Sequence, residues 1–234
     1  SGKMAGGAEE FDLPDPLIWL TWVAAKTTRI KLATGILIVP QRNPVITAKE
    51  LATLDHLSGG RIVLGVGAGW LAEEFTALNV PFGDRGKRLD EYIAVMRALW
   101  SGEKTTFSGH YFDFENCISL PRPANGTIPV IVGGHSPAAA KRAGRLGDGF
   151  FPGSASATEI GELITLVRQT AEDNGRDPDS IEMIAGAGAP PGPKLDARIE
   201  QLAEIGVTHA IVPTFRPDAL AEIGESLNAT YGHA

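Results

Sequence analysis

The residues whose types and spacing could do chemistry lie in three glycine-bearing turns. The first runs Pro129-Val130-Ile131-Val132-Gly133-Gly134-His135-Ser136-Pro137, from a short β-branched strand through two glycines into a helix start. Gly133 and Gly134 let the backbone turn with no side chain in the way, Ser136 is a good N-cap, and Pro137 suits the first helical position. Free backbone N–H groups there, with the positive end of the helix dipole, make an anion site that needs no Lys or Arg, so a phosphate is the expected occupant. A plain strand-to-helix turn uses the same residues and stays open as a reading. The second turn, Gly65-x-Gly67-x-Gly69-Trp70, departs from the G-x-G-x-x-G spacing and sits mid-chain, which speaks against a nicotinamide-binding Rossmann domain. The third holds Gly35, which interrupts an apolar strand, the mark of a bulge or of close approach by a ligand.

Other chemistries fail on physical grounds. Ser136 sits where a nucleophile elbow would put its serine, but the next residue must donate an oxyanion N–H and Pro137 has none. His56, His110, His135, His209 and His233 are scattered and Cys117 stands alone, so no metal is expected. The backbone N–H of His135 matters more than its ring in an anion turn. Trp70 either walls a planar ligand or buries itself at a helix start. Arg42, Arg85 and Arg88 are positive groups in or near loops, although solvated helix faces explain Arg85 and Arg88 equally well. Glu73 and Glu74 favour the dipole of the helix they begin.

The chain has 234 residues, 43% hydrophobic and 21% charged, enough for a large core. A net charge of -7 and no Lys/Arg cluster argue against nucleic acid as a partner. A single cysteine excludes an internal disulfide and makes a reducing, cytoplasmic setting the expectation. No basic-then-apolar leader and no apolar run near ~18 residues gives support for secretion or a membrane partner. Position 1 is Ser rather than Met, which hints at an upstream segment cut, processed or outside the numbering.

These turns must be held by regular elements, and the sequence supplies them in alternation. Asp15 and Pro16 open an apolar helix with no strand before it; Ile30 to Val39 reads as a buried strand. Asn43-Pro44 caps a helix stopped by Ser58-Gly59-Gly60. A strand over 61–66 leads through the glycines into a helix to Leu78, and Asp84 to Trp100 is a further helix. Residues 103–128 are an insertion: a hairpin around Ser108-Gly109, then a Pro-rich connection. After Pro137 come a helix, a strand over 148–152, a helix over 158–173, a strand over 181–185, a loop over 186–194, a helix over 195–205, a strand over 208–213 and a helix over 217–229. No domain break stands out, so residues 1–234 read as one domain. Strand–helix alternation demands parallel strands with helical crossovers, an α/β fold. About six strands after an unpaired helix fit a (βα)8 TIM barrel lacking its first strand, first helix and second strand, with an open doubly wound sheet as the alternative.

Together Ala33-Thr34-Gly35-Ile36-Leu37, the Asn43-Pro44 helix, Leu57-Ser58-Gly59-Gly60-Arg61, Leu64 to Trp70, Gly133 to Pro137 and Gly147-Asp148-Gly149-Phe150 resemble the bacterial luciferase-like monooxygenase superfamily, and within it the actinobacterial coenzyme F420-dependent oxidoreductases. The resemblance implies a barrel that holds a deazaflavin, or alternatively FMN, at the carboxyl ends of its strands. It implies a non-proline cis peptide at Gly35–Ile36 behind the ring, with Gly67, Gly69 and Trp70 along the ring's edge. It also implies a phosphate-binding turn of Gly133, Gly134, His135 and Ser136, with Pro152, Gly153 and Ser154 beside it on the next strand. The implied activity is hydride transfer to or from a small organic substrate, or flavin-dependent oxygenation, and the implied assembly is a homodimer. The family's acid, base and substrate contacts often sit on the two strands absent here, so no catalytic residue is assigned. A cofactor-binding module without catalysis is the reading from another class.

Overall fold

A computed structural model describes residues 12–153, 156–189, 192–212 and 220–231. They fall into two units that meet within one strand, between Ile131 and Val132.

The first unit opens with α1 (Pro16–Lys26), where the Asp15 carboxylate accepts the Leu17 and Ile18 N–H groups at 2.9 and 3.1 Å. The expected strand over 30–39 is broken into β1 (Leu32–Ala33), β2 (Leu37–Ile38) and a 3-10 turn, Val39–Gln41. Both short strands pair in parallel with β3 (Ile62–Gly67): Ala33 faces Val63, and Leu37 faces Val66. Four residues along one side therefore match three along the other, and the extra residue is a bulge at 34–36, where the sequence placed Gly35.

Helix α2 (Pro44–Ser58) starts under the Asn43 cap and ends on Gly59 at φ 73°. Short α3 (Ala72–Ala77) and long α4 (Arg85–Trp100) follow. Leu51, Leu64, Phe75, Leu89, Ile93, Met96 and Trp100 form the core, each less than 2% exposed, and the Trp100 indole N–H reaches the Ala48 carbonyl at 3.1 Å. The insertion folds as an antiparallel hairpin, β4 (Thr105–Ser108) and β5 (Asp113–Cys117), with Cys117 half-buried on β5. Its loop is four residues rather than a tight Ser-Gly turn, because the Glu91 carboxylate of α4 collects the N–H groups of His110, Tyr111 and Phe112 at 2.7–2.8 Å. Leu64 N–H donates to Pro129 O at 2.9 Å, which sets the entry to β6 (Val130–Gly133) beside β3.

The second unit continues from β6 into α5 (Pro137–Leu146), β7 (Gly149–Phe151), α6 (Ala157–Asp173), β8 (Glu182–Gly186), α7 (Pro193–Glu204), β9 (His209–Ile211) and α8 (Leu220–Tyr231). Strands β7, β8 and β9 are parallel neighbours, as strand–helix alternation requires. Helices α5 and α6 pack closely at Gly144, where a Cβ would stand 2.6 Å from Val167 O. Phe150, Ile160, Val167, Met183, Ala185 and Leu195 make the core. Pro213 and residues 217–219, the expected edges of the last strand and helix, lie outside the described residues. Among the described residues no helix is long and apolar enough to cross a membrane.

Candidate functional site

Each of the three turns sits at the carboxyl end of a parallel strand. In the first unit, Thr34 is buried and its Oγ1 donates to Gly65 O at 2.7 Å, tying the bulge to β3. The Gly35–Ile36 peptide is cis. Gly35 itself is exposed, and a Cβ there would meet nothing within 4 Å. The β3 glycines differ sharply. A Cβ on Gly65 would stand 2.0 Å from the Thr34 carbonyl oxygen, and one on Gly67 would stand 1.8 Å from Ile36 Cδ1. Those two glycines therefore make room for the bulge to lie across β3, and the Ile36 side chain occupies the face that Gly67 leaves open. Gly69, at φ +85°, leads to Trp70, whose side chain is 52% exposed rather than buried at the helix start.

The arginines that sequence alone left as loop charges are engaged. Arg42 pairs with the Asp15 carboxylate. Arg85 Nε donates to Gly69 O at 2.9 Å and its guanidinium lies 3.8 Å from the Phe82 ring centre. Arg88 donates to Asp84 Oδ2 at 2.9 Å and stacks on Tyr111 at 4.2 Å. Glu74, beyond any dipole role, accepts from Gln41 Nε2 at 2.8 Å, joining α3 to the turn after β2. Burial alone would push the Asp15 carboxyl up, but hydrogen bonds from Arg42 and from the Ile18 and Leu17 N–H groups hold it below its ordinary value. At Asp84 desolvation again pushes upward, and hydrogen bonds from Tyr111 and Arg88 outweigh it, so that carboxyl too is lowered. Desolvation and the Asp84 hydrogen bond push the Tyr111 hydroxyl up.

In the second unit, Gly134 takes φ +133° and its N–H donates to Phe151 O at 3.0 Å, so the ends of β6 and β7 lie side by side. The Ser136 hydroxyl accepts the Ala139 N–H at 3.3 Å, capping α5 as its sequence predicts, and His135 and Ser136 are exposed. Gly153, at φ +74°, has His135 Nδ1 as its nearest neighbour, 4.0 Å from where a Cβ would be. Pro152 is buried before it, and Ser154 lies outside the described residues. His135, Ser136 and Gly153 are thus brought together around an exposed helix start, an arrangement suited to an anion. Among the described residues no group of three or more His, Cys, Asp or Glu side chains could hold a metal ion.

Sequence reasoning missed the bracing of Gly69 by Arg85 and the gathering of the hairpin loop by Glu91. Both bonds join residues 16 to 21 positions apart through tertiary structure, and no local spacing signals them.

Residues 3–228 match the family model described as luciferase-like monooxygenase. An uncharacterised protein of Mycobacterium tuberculosis (strain ATCC 25618 / H37Rv) is 36% identical over 191 residues, 81% of this chain and 64% of that protein. The F420-dependent glucose-6-phosphate dehydrogenase of Kineococcus radiotolerans is 37% identical over 175 residues, 72% of this chain and 51% of that enzyme. The chain spans between half and two thirds of the length of these two relatives. Among solved structures, the coenzyme F420 dependent tetrahydromethanopterin reductase from Methanopyrus kandleri superposes with a TM-score of 0.77, covering 92% of this chain and 86% of that one at 21% identity, a likeness of fold. The parallel α/β architecture is that of a known barrel type, and with residues 3–228 matched by the family model the chain belongs to the luciferase-like monooxygenase family.

Proposed function

We propose that the protein is an oxidoreductase that uses coenzyme F420 for hydride transfer to or from a small organic substrate. The observation that carries this reading is Gly35. It is exposed, its φ is not in the left-handed region, and a Cβ would have nothing within 4 Å, so neither side-chain packing nor a left-handed backbone requires the glycine. Close approach of a flat ligand would. Relatives that include an F420-dependent dehydrogenase support the choice of cofactor.

In this reading Gly35, Ile36, Gly69 and Trp70 meet the ring, with Gly67 serving by seating Ile36. Gly133, Gly134, His135 and Ser136 meet a phosphate through main-chain N–H groups, supported by Pro152, Gly153 and Ser154. The chain's residues bind and orient; Trp70, half exposed, shields one edge of the ring from water. A homodimer and a cytoplasmic setting belong to the same proposal.

The test is a fluorescence titration of purified protein with F420 and, separately, with FMN. Micromolar binding of F420 without comparable binding of FMN is the expected result. FMN binding alone overturns the cofactor assignment, and binding of neither overturns the reading as a whole.

A further inference from the structure

Trp70 stands at the tip of a turn, and something must fix the direction in which its ring points. Gly69, next to it, has no side chain with which to anchor the turn and adopts φ +85°. Gly69 is held both by packing, against Phe75 and Ile38, and by a hydrogen bond. The fully buried Phe75 ring fills the space where a Cβ would stand, with Cε2 only 2.7 Å from that point. Arg85 Nε grips the Gly69 carbonyl at 2.9 Å. Arg85 is itself held, since its Nη1 donates to Phe82 O at 3.1 Å and its guanidinium lies 3.8 Å from the Phe82 ring centre. The Phe82 ring meets Phe75 edge-on, with centroids 5.3 Å apart. The contacts close a cycle, Gly69 to Arg85 to Phe82 to Phe75 and back to Gly69.

A solvated arginine at a helix start would gain little from a posture that fixes its whole side chain. A lysine could not reproduce it, because a point charge cannot stack as a plane while donating from two separate nitrogens. We infer that Arg85 is a positioning residue for the cofactor site: by holding the Gly69 carbonyl it fixes Trp70 at the edge where the ring binds. This rests on the F420 reading for the ligand that Trp70 meets, while the bracing of the turn stands on the geometry alone.

Two measurements on Arg85→Met separate these parts. The first is hydrogen exchange of the amides around 68–71, read by mass spectrometry. Loss of the brace should speed exchange there about tenfold or more, with the α2 segment 44–58 unchanged. The second is F420 affinity, measured in wild type, Arg85→Met, Trp70→Ala and the double variant. Arg85→Met should weaken binding about tenfold in the wild-type background and by less than about twofold when Trp70 is already alanine. Unchanged exchange at 68–71 overturns the inference. So does an equal loss of affinity in both backgrounds, which is what a role in general stability predicts. Should the wild type bind no F420, the functional reading falls and exchange alone decides whether Arg85 braces the turn. If Arg85→Met does not fold, Arg85→Lys carries the same measurements, with intermediate effects expected and the same null results overturning the inference.

Discussion

Alanine at Gly65 and alanine at Gly67 look like the same change two residues apart, and the structure separates them. A Cβ on Gly65 would stand 2.0 Å from the Thr34 carbonyl oxygen and 3.1 Å from its carbon. Backbone atoms cannot rotate away, so Thr34 must move, and its 2.7 Å hydrogen bond to Gly65 O moves with it. Overpacking of about 1–3 kcal/mol and a disturbed buried hydrogen bond of about 1–3 kcal/mol give an expected loss of about 3 kcal/mol for Gly65→Ala. At Gly67 the new atom meets only Ile36, with Cδ1 at 1.8 Å and Cγ1 at 3.3 Å, the far end of a flexible side chain. Gly67→Ala should therefore cost about 1–2 kcal/mol. Ile36→Val deletes Cδ1, so combining it with Gly67→Ala should recover about 1 kcal/mol relative to the sum of the single changes. Combined with Gly65→Ala it should recover none, because the Thr34 carbonyl is untouched. Urea unfolding followed by far-UV circular dichroism gives all the free energies needed. The packing argument is refuted if Gly65→Ala lies within about 0.5 kcal/mol of wild type, or if Gly67→Ala and Ile36→Val are simply additive.

Arg61 donates to the carbonyls of Ala24, Thr27, Ile30 and Ser58 and to the Thr27 hydroxyl, all at 2.8–3.0 Å, so it closes the carboxyl end of α1 and fixes the start of β1. Arg61→Lys, keeping the charge but not the fork, should lower stability by about 2 kcal/mol in the same urea experiment. The Asp15 carboxyl is depressed in the folded chain, so its contribution is fully present above the unfolded value and is lost as pH falls through the folded one. Wild-type stability should therefore drop as pH falls below the ordinary carboxylate value, and Asp15→Asn should flatten that part of the profile.

The helix starts were legible because capping is local chemistry. Asp15, Asn43 and Ser136 each accept N–H groups from their own first turns, as the sequence says they must. Parallel strand pairing was legible from alternation alone. The division of the 30–39 strand was not, because apolar β-branched composition reports burial, while the register against β3 that makes 34–36 a bulge depends on a partner some thirty residues away. Trp70 shows the same limit. Its type allowed either a buried or an exposed place, and the turn at Gly69 that carries it is set by contacts with Phe75, Ile38 and Arg85 that no local spacing signals.

Glycines in a motif carry information about a ligand only after the fold's own needs are subtracted. Gly65 and Gly67 are required by Thr34 and Ile36, Gly69 by Phe75 and Ile38 Cγ2, and Gly134 by Ala139, whose Cβ would lie 2.9 Å from its own. A dinucleotide-like run of glycines at the end of β3 is thus consumed by packing. Gly35 is left over, with ordinary φ and open space around it. Gly83 and Gly224 share that property, as does Gly186 at the carboxyl end of β8, in a segment whose sequence reads as the beginning of a loop. If close approach of a ligand is what keeps Gly35 free of a side chain, Gly35→Ala should leave urea stability within about 0.5 kcal/mol of wild type while weakening F420 binding about tenfold or more. Gly65→Ala should do the reverse in kind, losing stability first. A Gly35→Ala protein that unfolds early but binds normally would show that the glycine serves the bulge rather than the ligand.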